Sequence, residues 1–166
     1  MNIIIQSSIK TLQKARILLS ILSDDELSNA SVAPYYSGIG SHIRHILDFY
    51  DCALNITSEN KIDLTNRSRN SDVETKCDVA LQYLDQIINK LENIKCKIDY
   101  DVMVIDDLGL GKIEMKYTFE ALIAQANSHT IHHYAIINYI LESIGIKFED
   151  DNFGFNPTTP IKAVLN

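Results

Sequence analysis

Between Phe119 and Leu141 the core-type positions recur at alternating steps of three and four: Phe119, Leu122, Ala126, His129, His133, Ile136, Ile140. This spacing predicts a long amphipathic helix with that stripe turned inward, the pattern of a bundle seam. Two consecutive seam positions are imidazoles instead of aliphatics, and residues four apart lie one turn above each other on the same face. Each ring brings a donor and an acceptor into the interior, and leaving them without partners is costly. Any fold that buries this helix must therefore supply a polar partner at that point. A divalent metal serves both rings at once, and imidazole is a common ligand for Zn, Ni, Cu and Fe.

A second amphipathic segment, from Ser37 or Gly38 to about Leu54, carries His42 and His45. All five histidines of the chain lie in these two segments. The stripe Ile39, His42, Ile46, Phe49, Ala53 makes His42 the inward-facing ring by periodicity alone. His45 is three positions on and lines the same side. A lone histidine on an apolar face is usually bonded to backbone or a carboxylate. A pair with a distant donor helix points instead to metal.

Two more helices follow from the same period. One runs from about Ser7 to Leu22, with the stripe Ile9, Leu12, Arg16, Leu19, Leu22 and Ile5 leading in. The other starts at Ser71, with Glu74 placed for a capping box, and ends near Ile94 on the seam Val73, Cys77, Ala80, Leu84, Ile87, Leu91. The stretch Thr57 to Ser71 is polar. Lys97–Asp106 and Lys112–Tyr117 alternate in polarity around Asp107-Leu108-Gly109-Leu110-Gly111, which predicts a small β-hairpin before the last helix. The two glycines lack the third glycine and the Lys-Ser/Thr of a phosphate loop, so they read as a turn. Thr118 is placed to cap the last helix. The tail through Phe153-Gly154-Phe155-Asn156-Pro157-Thr158-Thr159-Pro160 cannot continue that helix, and its aromatics are expected to dock on the bundle. The sum is one domain, residues 1–166: an all-α four-helix bundle with a hairpin between helices three and four.

Composition removes several function classes. A net charge of −7, with no basic run beyond Arg67 and Arg69, leaves no footprint for nucleic acid. No apolar stretch is long enough to span a bilayer, and the start lacks a charged region followed by a small-residue cleavage site. Three cysteines, Cys52, Cys77 and Cys96, without CxxC spacing fit reduced thiols in a cytoplasmic protein. Cys77 falls on a seam and reads as a small core residue.

Five stretches carry a resemblance to a known family. His45-Ile46-Leu47-Asp48 on the second helix and His129-Thr130-Ile131-His132-His133 on the last match the pattern of the DinB/YfiT-like superfamily. Ile39-Gly40-Ser41-His42-Ile43-Arg44-His45, Asn66-Arg67-Ser68-Arg69-Asn70 and Phe153-Gly154-Phe155-Asn156-Pro157-Thr158-Thr159 are similar to a subset of its members. The resemblance spans helices one to four. It implies a four-helix bundle with a three-histidine metal site inside one end, its ligands His45, His129 and His133, with His42 as a neighbouring pocket residue. It also implies metal-dependent chemistry with a low-molecular-weight thiol on a small-molecule substrate, and a homodimer. The metal would be Zn, Ni or Fe. Arg67 and Arg69 would suit the carboxylates of such a thiol, because guanidinium forks grip carboxylates bidentately; bridging the loop to acidic helix ends is the alternative. A metal-dependent hydrolase and a non-catalytic dimeric bundle remain as other readings. Arg44 is expected in solvent or paired with Asp48 at i+4.

Overall fold

A computed structural model of the chain describes residues 2–94 and 97–159; Cys96 and Pro160 lie outside them. The described chain is mostly helical, with a small three-stranded sheet. Helix α1 (Ile3–Ile21) begins earlier than the apolar stripe suggests, because the Asn2 side chain accepts the Ile4 N–H and caps it. Its buried face is Ile5, Ser8, Ile9, Leu12, Ala15, Leu18 and Leu19. Arg16, expected in the stripe, is exposed and pairs with Asp85, and Ala15 takes the inward position. The capping box expected at Ser71 and Glu74 occurs instead at Ser23 and Glu26, where it starts the short helix α2 (Asp24–Ser28).

Helix α3 (Ile39–Leu54) follows. The third predicted helix is two: α4 (Asp72–Thr75) and α5 (Cys77–Glu92), separated by an extended Lys76 at φ −131°, ψ 116°. The seam Val73 to Leu91 gives no sign of the break, since Val73, Ala80, Leu84, Ile87 and Leu91 are all buried. Contacts from elsewhere cause it. Glu74 is drawn to Arg44 on α3, while an Asp24 carboxylate oxygen accepts the Cys77 N–H at 2.8 Å and so caps α5 from α2. Gly40 is where α3 meets α4; a Cβ there would collide with the Glu74 backbone. Cys77 is half-buried against the core, and its thiol donates to the Leu22 carbonyl at 3.4 Å.

The hairpin forms as β2 (Asp101–Asp107) and β3 (Lys112–Thr118), in register from Asp101 opposite Thr118 to Asp107 opposite Lys112. The Asp107 carboxylate accepts the Gly109 and Gly111 N–H groups at 2.8 and 3.2 Å, with both glycines at positive φ. A third strand, β1 (Lys61–Asp63), arises within the polar stretch and pairs parallel to β2, Ile62 opposite Val104. Three residues with one buried apolar side chain are too few to announce a strand. Pairing with β2 makes this one, and it holds the segment that follows close to α3.

Helix α6 (Phe119–Ser143) is capped by Thr118, whose hydroxyl accepts the Ala121 N–H at 3.2 Å. Helix α1 packs on α5 and α6, and α3 packs on the same two. The core between them is continuous and includes Leu12, Leu19, Ile46, Tyr50, Leu84, Ile87, Leu122 and Tyr134. Phe153 is buried and stacks on Tyr134 with ring centroids 4.4 Å apart, while Phe155 stays exposed. One tail aromatic docks and the other does not. No helix among the described residues is long and apolar enough to cross a membrane.

Candidate metal centre

The histidines do not sit at the centre of the α6 seam. The buried line runs Ala126, Thr130, Tyr134, Ile137, Leu141, and His129 and His133 are half-buried on one flank of it. Thr130 can sit inside because its hydroxyl donates back to the Ala126 carbonyl at 2.8 Å, which removes its need for an outside partner. Tyr134 likewise donates to the Thr11 carbonyl at 3.0 Å. On α3 the buried line is Ile39, Ile43, Ile46, Leu47, Tyr50, so the periodicity that placed His42 in the core is corrected: His42 and His45 are both half-buried beside it. The two flanks face each other where α3 packs on α6.

There the rings converge. His45 Nε2 lies 2.8 Å from His129 Nε2, and His133 Nε2 lies 3.2 Å from the same atom. Ligand nitrogens of the three rings all fall within 4.8 Å of one another. Two nitrogens bound at about 2.0–2.1 Å to one zinc ion stand about 3 Å apart, so the spacing suits a shared ion. Phe49 covers the cluster from the apolar side, with its ring centroid 5.3 Å from that of His129.

Proton bookkeeping tests the fit further. Each imidazole nitrogen carries one lone pair or one proton, so three that face one point cannot all pair with each other. A metal would take three lone pairs together. The contacts of His133 are compatible with this in one of their two tautomeric directions: its Nδ1 lies 2.9 Å from His42 Nδ1, and His42 Nε2 lies 2.9 Å from Ser37 Oγ. With His133 Nδ1–H donating to His42 and His42 Nε2–H to Ser37, the His133 Nε2 lone pair is free for an ion. His42 is thus a partner of a candidate ligand, and Ser37 joins the site unannounced by the sequence.

His45 is arranged differently. The Arg67 Nη1 group lies 3.1 Å from His45 Nδ1, and Arg67 Nε donates to the Leu64 carbonyl at 3.1 Å. Arginine only donates, so His45 Nδ1 accepts and the proton of the neutral ring sits on Nε2, aimed at His129. The rings are held neutral. Burial, then the Arg67 charge, brings His45 down from the ordinary 6.5 to about 4; burial, then the neighbouring histidines, brings His133 down to about 3. Burial also lowers His42 and His129, with His132 adding to both. His132 itself is exposed.

Below the histidines lies a carboxylate at full burial. Asp48 accepts from Arg44 Nη1 at 2.7 Å, from the Tyr83 hydroxyl at 3.2 Å and from the Arg69 backbone N–H at 3.2 Å. The expected Arg44–Asp48 pair is present, and Arg44 also binds Glu74. Arg69 adopts φ +51°, which aims its N–H at Asp48, while its side chain is exposed. Of the two loop arginines the fold brings Arg67 to the histidines and uses Arg69 through its backbone. Among the described residues Cys52 and Cys77 are poor nucleophiles: burial raises each to about 11.

A cavity of about 610 Å³ opens on the other flank of α6, lined by residues including Lys10, Asn127, Asp150 and Asn156. It touches none of the histidines. The perturbed and convergent groups are at the α3–α6 contact, which makes that contact the candidate site. No protein-family model, curated protein or solved structure matches the chain.

Proposed function

We propose that this chain is a DinB/YfiT-like four-helix bundle of α1, α3, α5 and α6, and that His45, His129 and His133 hold a divalent metal, Zn, Ni or Fe, in a metal-dependent enzyme. The observation that carries the reading is the convergence of three imidazole nitrogens that cannot satisfy one another. Three protein ligands leave coordination positions open, which marks a catalytic centre rather than a structural one. When bound, the metal supplies a Lewis acid that lowers the pKa of a thiol or a water. We read the reaction as transfer of a low-molecular-weight thiol to an electrophilic small molecule, on the strength of the sequence resemblance; hydrolysis is the alternative use of the same centre.

The chain's own residues have definite parts in this. His42 and Ser37 keep the His133 proton on Nδ1. Phe49 keeps water from one side of the cluster. Arg67 offers the site its nearest cationic fork. Ile17 and Ile21, exposed on one face of α1, support a homodimer, which sedimentation velocity would read.

Metal content by plasma mass spectrometry tests the proposal, run on tag-free protein beside a His129→Ala, His133→Ala double variant. About one ion per chain in the wild type, absent from a variant with unchanged far-UV circular dichroism, is the expected result. No metal after incubation with excess ion sinks the metalloenzyme reading and leaves a bundle with a polar pocket.

A further inference from the structure

The Arg67–His45 contact conflicts with a metal at His45. An Nε2 that binds metal must present its lone pair, so the neutral ring must carry its proton on Nδ1. Nδ1 here faces a guanidinium N–H at 3.1 Å, and two donors cannot share that line. Arg67 also lacks a counter-ion: among the described residues no carboxylate lies within ion-pair distance of it, in a chain with 22 acidic residues against 15 basic ones. It is half-buried and tethered by Nε to the Leu64 carbonyl, so the conformation that blocks His45 is held in place.

Resting on the metal reading above, we propose that Arg67 is a displaceable lock: metal binding drives it off His45 Nδ1, and the freed fork becomes the receptor for a carboxylate of the substrate. The His45 proton moves from Nε2 to Nδ1 through solvent, with none gained or lost. Metal and carboxylate both favour the state in which Arg67 has left the ring, so each tightens the binding of the other. The substrate class this assigns is a carboxylate-bearing small molecule.

The test is zinc titration against a competing chelator, for wild type, Arg67→Met and Arg67→Lys, each with and without acetate as the anion probe. Arg67→Met should bind zinc about tenfold tighter than wild type, the value of one charge-assisted hydrogen bond removed from the metal-free state. Arg67→Lys, which keeps the charge and loses the Leu64 tether, should also gain. Acetate should tighten zinc binding to wild type and leave Arg67→Met unchanged. Ring ¹⁵N shifts should place the His45 proton on Nε2 without zinc and on Nδ1 with it. Equal zinc affinity in wild type and Arg67→Met overturns the lock and leaves the metal centre standing. A gain in Arg67→Met with Arg67→Lys equal to wild type reduces the effect to charge and also overturns it, as does an Nδ1 proton in zinc-free wild type. Zinc binding by none of the three removes the metal reading and the lock together.

Discussion

Asp48→Asn and Asp48→Ala separate two contributions of the buried carboxylate. Asp48 is wholly buried, and its partner Arg44 is 17% exposed. In Asp48→Asn the amide oxygen can take the Oδ2 place and accept from Arg44 and from the Arg69 N–H. The amide NH₂ then faces Tyr83, whose hydroxyl turns to accept. Three contacts survive and the charge is lost. Arg44 keeps Glu74 as a counter-ion, so the cost falls below that of an abandoned buried charge, to about 2 kcal/mol. Asp48→Ala removes every acceptor, leaves three donors without partners and opens a void; the expected cost is about 3–5 kcal/mol. At about 2–4 °C per kcal/mol for a chain of this size, the melting points should fall by about 6 and about 12 °C. Urea unfolding is the assay, since guanidinium would screen the ion pairs under test. Zinc content should stay near wild type in Asp48→Asn, because no hydrogen bond joins Asp48 to a histidine among the described residues. An Asp48→Asn protein within about 0.5 kcal/mol of wild type, or equal losses in the two variants, would refute the reasoning.

Metal-free protein should lose stability as pH falls below 6.5. Over that range the unfolded chain takes up protons on His45 and His133 while the folded one, with values near 4 and 3, does not. At pH 5 the loss is bounded at about 2 kcal/mol per ring, and about 1 is expected once solvent screening of half-exposed rings is allowed for. His133→Gln should flatten the urea-midpoint profile between pH 5 and 6.5; an unchanged slope would refute the assignment. Gly154→Ala should cost about 3 kcal/mol, since its φ of +78° disfavours a side chain and the new Cβ would stand 2.6 Å from Ala135 Cα and N. The near-ultraviolet dichroism of the Tyr134–Phe153 stack should weaken with it, and a wild-type signal and midpoint would show that the tail does not need that approach.

The elements carried by strong local patterns were legible from the residues alone. Phe119 to Leu141 encloses most of α6, the alternating segments mark the hairpin, and Thr118 caps where expected. What escaped depends on distant partners. The break at Lys76 is made by Arg44 and Asp24, neither near it in sequence. The strand β1 exists because β2 is beside it. The histidines were found at once, because a ring in an apolar stripe stands out, yet their exact facing was not. Thr130 and Tyr134 look like flank residues to a period count and are core ones, each with its polar group satisfied by a backbone carbonyl. Ser37 was invisible as a site residue, since only its distance to His42 gives it a role.

The three rings come from helices far apart along the chain: His45 and His129 are separated by 84 positions. Until α6 is made and docked, the growing chain offers an ion only the two rings of α3, His42 and His45, and of these only His45 belongs to the converging set. His129 and His133 can meet on a lone helix turn, but two ligands on an exposed, fraying segment hold an ion weakly. On the metal reading proposed above, loading would wait on the docking of α6 against α3. Retained metal would in that sense certify completed assembly, which a cell or an experimenter could read without opening the protein.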